Sequence, residues 1–157
     1  MRIGEIILRE AGAADMPGIS RVRSSVCENL LTVEQLERLG ITNASVAASL
    51  LVDRKGWVAE QGDEIVAFSM ADRANGSIFA LFVLPGYEGR GLGGRLLDLA
   101  LQWLWGEGAG RVWLTTSPGT RAERFYVQRG WVQIGKEAGG DVRLELVRRR
   151  VGTEARG

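Results

Sequence analysis

Residues 82–94, FVLPGYEGRGLGG, restrict the possible folds of this 157-residue chain more than any other segment. An apolar, strand-like run ends in a turn at Pro85 and Gly86, a glycine-dense loop follows, and an apolar, helix-like run begins at Leu92. Glycines let a loop turn its backbone N–H groups inward, and a helix start adds N–H groups that have no partner within the helix. Such a loop is suited to binding phosphate oxygens. The segment therefore predicts a strand, a phosphate-binding loop and a helix in succession.

The hydrophobic pattern extends this unit over the rest of the chain. It predicts strands over residues 3–8, 57–60, 65–71, 77–84, 111–115, 131–134 and 142–147. It predicts helices over residues 13–30, 32–39, 44–51, 92–105 and 120–128, the second and the last opened by capping-box patterns at Thr32 and Thr120. Short glycine-containing turns favour an antiparallel meander in the middle of the chain and a hairpin at its end. The strands on either side of the helix at 92–105 are expected to be parallel, joined by a right-handed crossover.

Length and composition favour one domain over residues 1–150, with a short polar tail at 151–157 that we expect to be disordered. Twenty basic and 19 acidic side chains give a net charge of +1, so no nucleic-acid partner is expected. The apolar runs are too short for a membrane span and the start has no signal-type segment, which makes a cytoplasmic location the expectation. The chain has no histidine and one cysteine, Cys27, which shares an apolar helical stripe and is expected to be buried. We therefore expect no metal site and no imidazole catalysis.

Two common phosphate-binding motifs were compared with the glycine loop. Gly89, Gly91 and Gly94 satisfy the dinucleotide pattern G-x-G-x-x-G, but four residues separate the strand from the first glycine. No acidic residue stands about 20 residues further on, where one should hold a ribose. A Walker loop is excluded because Gly-Lys-Ser/Thr is missing. The loop belongs to neither pattern.

The chain resembles the GNAT superfamily of N-acetyltransferases, whose acetyl-CoA loop has the pattern Gln/Arg-x-x-Gly-x-Gly/Ala after a strand ending in Val-x-Pro-x-Tyr. Residues 88–93, EGRGLG, follow residues 83–87, VLPGY. The family's second motif corresponds to Gly119-Thr120-Arg121-Ala122 followed by Tyr126 and then Gly130-Trp131. The resemblance covers nearly the whole chain, with residues 28–56 matching least. It implies an α/β fold with a mixed, mostly antiparallel sheet of six or seven strands, splayed at the cofactor site, and helices on both faces.

The resemblance also implies a site for acetyl-CoA as cosubstrate. Its cofactor-binding residues would be Leu81, Phe82, Val83, Glu88, Gly89, Arg90, Gly91, Leu92, Gly93, Gly94, Ser117, Gly119 and Tyr126. Two of these positions depart from the family pattern. Glu88 replaces a Gln or Arg and puts a negative charge beside the expected pyrophosphate, which Arg90 would offset and which requires the carboxylate to point outward. Gly119 replaces an Asn that contacts the cofactor.

In the implied reaction an amine attacks the thioester directly in a ternary complex. Tyr126 would act as the general acid on the departing sulfur, and the backbone N–H near Val83 would stabilise the oxyanion, a contribution of about 2.7 to 4 kcal/mol for one such donor. The general base is open, since the strand at 77–84 carries no Glu. We expect either an acceptor amine of low pKa or a water relay to one of three carboxylates. These candidates are Glu28, Glu34 and Asp72.

The acceptor is expected to be a small-molecule or peptide amine, and the resemblance makes a homodimer plausible. A non-catalytic acyl-CoA sensor of the same fold is the alternative, and the absence of an evident base favours it. A plain strand-to-helix turn is a weaker interpretation of the loop, because a turn requires fewer glycines. Turnover separates the enzyme from the sensor.

Overall fold

The computed structural model describes residues 5–25, 48, 50 and 52–148. In chain order the elements are β1 (Ile6–Glu10), a 3₁₀ turn (Ala13–Asp15), α1 (Met16–Ser25), β2 (Arg54–Gln61), β3 (Glu64–Asp72), β4 (Ser77–Val83), α2 (Leu92–Gly106), β5 (Arg111–Thr116), α3 (Arg121–Gln128), β6 (Val132–Lys136) and β7 (Val142–Val147). Several expectations lie outside these residues, namely the helix at 32–39, the helix at 44–51 apart from residues 48 and 50, the burial of Cys27, the carboxylates Glu28 and Glu34, and the tail at 151–157.

Seven strands form one mixed sheet in the order β1-β2-β3-β4-β5-β7-β6. Every neighbouring pair is antiparallel except β4 and β5, which are parallel. The antiparallel meander and the parallel pair around the crossover helix are thus confirmed. The last hairpin is confirmed too, but β7 lies between β5 and β6, because β7 pairs with both of them. The first strand lies later than predicted, at Ile6–Glu10, where it pairs with β2.

Helices cover both faces of the sheet, as the strand alternation requires. On β2, Trp57 and Ala59 belong to the core that packs under α2 and α3, whereas Val58 between them belongs to the core under α1. The predicted helix at 13–30 begins as the 3₁₀ turn and continues as α1, whose buried residues Met16, Ile19 and Val22 follow the expected spacing. None of the described helices is both long and apolar enough to cross a membrane.

A bulge in β4 has consequences for the site. The register runs from Met70 opposite Ala80 to Ala71 opposite Ile78, so Phe79 is an extra residue on β4. A bulge re-aims side chains and bends the strand that contains it. Phe79 is 41% exposed, although its neighbour Ile78 is only 3% exposed.

Candidate active site

The parallel strands β4 and β5 diverge and leave a cleft between them. Within the described residues, their register is limited to Ser77 opposite Trp113, and the backbone N–H of Trp113 donates to the Gly76 carbonyl at 3.1 Å. Both contacts lie at the start of β4. Beyond them the strands separate toward their carboxyl ends, which places the open end of the cleft beside the glycine loop.

The backbone of β4 presents hydrogen-bonding groups to this cleft. The N–H of Leu84 donates to the Val66 carbonyl at 2.8 Å, so the N–H of Leu84 faces β3. Because these directions alternate along an antiparallel strand, the N–H and C=O groups of Val83 and Leu81 point away from β3 and toward β5. Those groups are therefore available to an extended ligand. Phe82, between them, packs its ring 5.5 Å from that of Phe68.

The glycine loop has the backbone that its composition predicts. Gly86, Gly89 and Gly91 have φ angles of +96°, +79° and +80°, and a Cβ added at any of them would meet open space. L-residues with side chains rarely adopt such angles, so the conformation explains the glycines. The open space in front of them leaves room for a ligand to approach the main chain.

The start of α2 adds free donors to the loop. Gly91 is the N-cap, and the first intrahelical bond runs from the Arg95 N–H to the Gly91 carbonyl at 3.1 Å. The N–H groups of Leu92, Gly93 and Gly94 precede it and have no acceptor within the helix. Open space, free N–H groups and the positive end of the helix dipole suit a pyrophosphate at this position.

Glu88 occupies part of this loop with its own carboxylate. Its Oε1 accepts a hydrogen bond from the Gly86 N–H at 2.9 Å, and its Oε2 lies 3.6 Å from Nη1 of Arg121. The Gly86 N–H, and to a lesser extent Arg121, lowers the pKa of Glu88, so the group is charged at neutral pH. The charge that offsets it comes from Arg121, whereas Arg90 stacks over the Tyr87 ring at 4.8 Å.

Residues of α3 pack directly against the start of α2. A Cβ at Gly93 would lie 3.6 Å from the Phe125 ring, and one at Gly94 would collide with the Arg129 guanidinium, which also stacks on Phe125 at 4.5 Å. Gly94 thus leaves room for the Arg129 guanidinium beside the loop, in addition to offering its N–H group. Sequence reasoning missed Arg121 and Arg129 as residues beside the loop. The signal that could have found them is the arginine-rich composition of α3.

Tyr126 lies on the same helix and is 7% exposed. Its ring makes edge contacts with Phe125 at 5.2 Å and Trp131 at 5.6 Å, in the core cluster against which Leu81 and Val83 also pack. Burial raises the pKa of Tyr126, so its hydroxyl keeps its proton throughout the neutral range. The group can therefore act as a hydrogen-bond donor.

The turn between β5 and α3 contains the remaining expected residues. Gly119 has a φ of +76°, and its N–H donates to Oε1 of Glu123 at 2.7 Å. Thr120 caps α3 by accepting from the Glu123 N–H at 3.2 Å, so the capping box is present with its carboxylate shifted to Gly119. The Ser117 hydroxyl donates to Oδ1 of Asp141 at 3.3 Å, which directs it toward the β6–β7 turn.

Asp72 is the one base candidate among the described residues, and its carboxylate is already engaged. Oδ2 accepts from Nε of Arg54 at 2.9 Å, and Oδ1 accepts from the Ala74 N–H at 2.8 Å. The side chain therefore holds the β3–β4 turn and orients an arginine. This arrangement favours a positioning role over proton transfer.

An open cavity of about 560 Å³ lies elsewhere, between α1 and the β2–β3 turn. Its lining includes Asp15, Arg21 and Glu64, and it shares no residue with the glycine loop or β4. Arg9 binds Asp15 at 2.8 Å and Arg21 lies 3.4 Å from Glu64, so the charges at its rim pair with one another. The splayed strands and the glycine loop are the better candidate for chemistry.

Comparison with known proteins agrees with this geometry. A profile of the Acetyltransferase (GNAT) family matches residues 29–131 of the chain. A PaiA N-acetyltransferase from Thermoplasma acidophilum, solved with coenzyme A, is 17% identical with a TM-score of 0.78, over 92% of this chain and 99% of that one. A GNAT-family acetyltransferase from Staphylococcus aureus Mu50 is 17% identical with a TM-score of 0.76, over 91% and 99%.

The ribosomal-protein-S18-alanine N-acetyltransferase from Escherichia coli is 15% identical with a TM-score of 0.70, over 91% of this chain and 94% of that one. At these identities the solved structures show a shared fold, which is the GNAT fold. The family profile covers well over half of the chain and includes both the glycine loop and Tyr126. The chain therefore belongs to the GNAT acetyltransferase family, a family of acyl-transfer enzymes.

Proposed function

We propose that this protein transfers the acetyl group of acetyl-CoA to a primary amine. The observation that carries the proposal is the coincidence of the open glycine loop at the start of α2 with unpaired backbone groups on β4. Family membership supports acyl transfer in general. The related N-acetyltransferase from Thermoplasma acidophilum is a complex with coenzyme A, which supports the choice of cosubstrate.

The described residues fit acetyl-CoA in two ways. The N–H groups from Gly89 to Gly94 would hold the pyrophosphate, with Arg121 and Arg129 nearby as positive charges. The carbonyl groups of Leu81 and Val83 and the N–H of Leu81 would pair with the amide groups of the pantetheine arm, in the manner of an added strand. An apolar strand suits this role, because its side chains stay in the core while its main chain binds.

Bound acetyl-CoA supplies a thioester, which an amine in the same ternary complex attacks directly. In this proposal the outward-facing N–H of Val83 donates to the carbonyl oxygen as negative charge develops on it. Tyr126 donates its hydroxyl proton toward the sulfur. The ordinary pKa of a tyrosine, about 10, already exceeds that of a thiol, about 8.5, and burial raises the pKa of Tyr126 further, so Tyr126 acts chiefly as a hydrogen-bond donor and full proton transfer is unfavourable.

Deprotonation of the acceptor falls to a group other than Asp72, whose carboxylate binds Arg54. We propose either an acceptor amine of low pKa, which needs little help, or a water relay to Glu28 or Glu34. A lysine-type amine with a pKa near 10.4 would cost about 4 to 5 kcal/mol to deprotonate at neutral pH, whereas an α-amine near 8 would cost little. An α-amine is therefore the better acceptor for the residues present.

Calorimetric titration with acetyl-CoA and CoA, together with a thiol-release assay against a panel of amines, tests the proposal. We expect binding, turnover of at least one amine, and loss of binding in Gly91→Trp, because a side chain at φ +80° strains the loop and fills the open space. Gly108→Trp is the matched control: it also has a positive φ and open surroundings, but it follows the far end of α2.

The outcomes separate the alternatives. Binding without turnover of any amine would contradict the enzyme and support the acyl-CoA sensor. No binding of either thioester or thiol would refute the assignment of the glycine loop. Equal loss of binding in the Gly91 and Gly108 variants would show that the effect is one of folding.

A further inference from the structure

Three side chains on adjacent strands form a polar and aromatic cluster, which we call the arginine corner: Arg54 on β2, Asp72 on β3 and Phe79 on β4. Arg54 is opposite Asp72 in the register, and Asp72 is opposite Ser77. Nε of Arg54 donates to Asp72 at 2.9 Å, and the guanidinium lies 4.7 Å from the centre of the Phe79 ring. The guanidinium is therefore held from one edge and along one face.

The other two nitrogens of Arg54, Nη1 and Nη2, are not used in the bond to Asp72. Asp72 is 7% exposed and is itself fixed by the Ala74 N–H, so it is a rigid support. Nη1 and Nη2 of Arg54 have no hydrogen-bond partner within the described residues, and the Arg54 side chain is 38% exposed. A guanidinium with a fixed plane and two free nitrogens matches the fork of a carboxylate. Because its orientation is already set, little side-chain entropy is lost when an anion binds.

Arg73, which follows Asp72 in the β3–β4 turn, differs from Arg54 in its hydrogen bonds. Nε of Arg73 binds Asp53 at 3.3 Å, Nη1 binds Glu107 at 2.9 Å and Nη2 binds the Val52 carbonyl at 3.0 Å. All three nitrogens of Arg73 are engaged, as expected of an arginine that only supports structure. Arg54 differs because, among the described residues, its guanidinium makes a hydrogen bond through Nε alone, with the Phe79 ring along one face.

The arginine corner lies next to the closed end of the cleft. Ser77, where β4 still pairs with β5, is two strand spacings from Arg54, roughly 10 Å between backbones. Phe79 is on β4 itself, so Arg54 stacks on the wall of the cleft. Arg54 lies four residues before Val58 on β2, and Asp72 lies two residues after Met70 on β3. Because side chains alternate between the two faces of a strand, Arg54 and Asp72 share the α1 face of the sheet with Val58 and Met70. This face is opposite the one that carries α2.

We propose that the arginine corner binds a carboxylate of the acceptor, so that the substrate is an amine that also carries a carboxylate. The inference rests on the proposed acetyl transfer and assigns the substrate class of that site. A carboxylate is preferred over a phosphate because the corner offers one cation, and the neighbouring Asp72 would repel a dianion more strongly than a monoanion. The acceptor would approach from the α1 face while the cosubstrate occupies the α2 face.

Matched acceptor pairs test this assignment in the thiol-release assay. Each pair compares a free acid with its amide: glycine with glycinamide, β-alanine with β-alaninamide, and glycylglycine with glycylglycinamide. O-phosphoethanolamine and ethanolamine form a further pair. We expect kcat/KM to be at least about tenfold higher for one or more acids than for the amides, as a hydrogen-bonded charge pair implies.

Variants of the corner assign that preference to Arg54. Arg54→Lys keeps the positive charge but not the fork, and should raise KM for acids about tenfold or more while kcat for amides and the affinity for acetyl-CoA stay unchanged. Phe79→Leu keeps the Arg54–Asp72 pair and removes the stacking of Arg54 on the ring. It should therefore raise KM by a smaller factor than Arg54→Lys does, and again for acids only. Arg73→Gln removes a positive charge from the β3–β4 turn, next to Asp72, and should leave the ratio of kcat/KM between acids and amides unaltered.

Equal kcat/KM for acids and amides, a preference for amides or for the phosphorylated amine, or no turnover of any acid would each overturn the inference. The proposed acetyl transfer would still stand if any amine were acetylated. A loss in Arg54→Lys that is equal for acids and amides would also overturn it, because that is the result of a purely structural role. Failure to bind acetyl-CoA would instead refute the proposed function itself.

Discussion

At the scale of single residues, Glu88 places a negative charge in the glycine loop. Glu88→Gln keeps an acceptor for the Gly86 N–H and removes a negative charge beside the proposed pyrophosphate site. We expect affinity for CoA to rise about threefold at low salt, the size of a weak surface charge interaction. Calorimetry at two ionic strengths measures this gain, which should shrink as salt screens it.

Glu64→Gln is the control for that change. Glu64, at the start of β3, pairs with Arg21 on α1 and lies away from the glycine loop. This variant should leave CoA affinity unaltered. A fall in affinity for Glu88→Gln would mean that the carboxylate helps to bind the cofactor, and would contradict the interpretation of Glu88 as an unfavourable neighbour.

Tyr126 is also a residue-scale feature, because its effect depends on a single hydroxyl. Tyr126→Phe should lower kcat at saturating acetyl-CoA by about tenfold to 100-fold, the lower end of general acid catalysis. Since burial raises the pKa of Tyr126, the wild-type hydroxyl stays protonated from pH 6 to 9, and its removal should not change the shape of the pH–kcat profile over that range.

The chain's other tyrosine supplies the matched control. Tyr87 donates its hydroxyl proton to Gln61 at 2.6 Å, so Tyr87→Phe should leave kcat unchanged. Equal kcat in wild type and Tyr126→Phe would indicate a purely structural tyrosine. If the pH–kcat profile of the wild type changed at its alkaline end and that change were missing in Tyr126→Phe, the Tyr126 hydroxyl would have to titrate between pH 6 and 9.

At the scale of elements, Arg9 on β1 connects the 3₁₀ turn to the sheet. It binds Asp15 in the 3₁₀ turn at 2.8 Å and Glu60 on β2 at 3.2 Å, and Asp15 also accepts from the Gly12 N–H. The hydrogen bond from Arg9 holds the pKa of Asp15 below its ordinary value of 3.8. The element contacts thus depend on one ionised carboxylate.

Asp15→Asn should therefore lower the free energy of unfolding by about 1 kcal/mol at neutral pH, a charged hydrogen bond discounted because Arg9 is partly exposed. The folded-state pKa is depressed, so this stability is fully present above pH 3.8 and is lost as the pH falls toward the folded value. Urea unfolding at pH 7, 5.5 and 2.5 measures the difference, which should be constant between the first two and smaller at the third.

Asp63→Asn in the exposed β2–β3 turn is the control and should leave the free energy of unfolding at pH 7 unchanged. A difference between wild type and Asp15→Asn that persists at pH 2.5 would contradict the role assigned to the charge. A difference that is absent at pH 7 would show that Arg9 contributes no net stability.

The elements themselves were largely predictable from local pattern. The strands of the meander, helix α2 and the cap of α3 follow from apolar periodicity, short turns and a Thr-x-x-Glu pattern, all of which act over a few residues. Register was not predictable. The bulge at Phe79 depends on how β4 pairs with β3, and the sequence of β4 alone does not specify which residue is left over.

At the scale of the whole molecule, the glycine loop of the candidate site could be predicted from the sequence, whereas the arginines beside the loop could not. The glycine loop is contiguous, and three of its glycines have the positive φ angles that explain their presence. The arginines beside it are distant in sequence. Arg121 pairs with Glu88, and the Arg129 guanidinium lies beside Gly94, because the fold brings these side chains to the start of α2.

By itself, the sequence determined the family, the order of most elements and the position of the phosphate-binding loop, because each depends on local backbone preference and on residues that are neighbours in the chain. Only the tertiary structure decided that β7 lies between β5 and β6, that Asp72 supports Arg54, and that Phe79 stands out from β4. These features depend on strand pairing and on charges brought together from distant segments. Pairing energies of that kind are shared among strands, and no single stretch of residues encodes them.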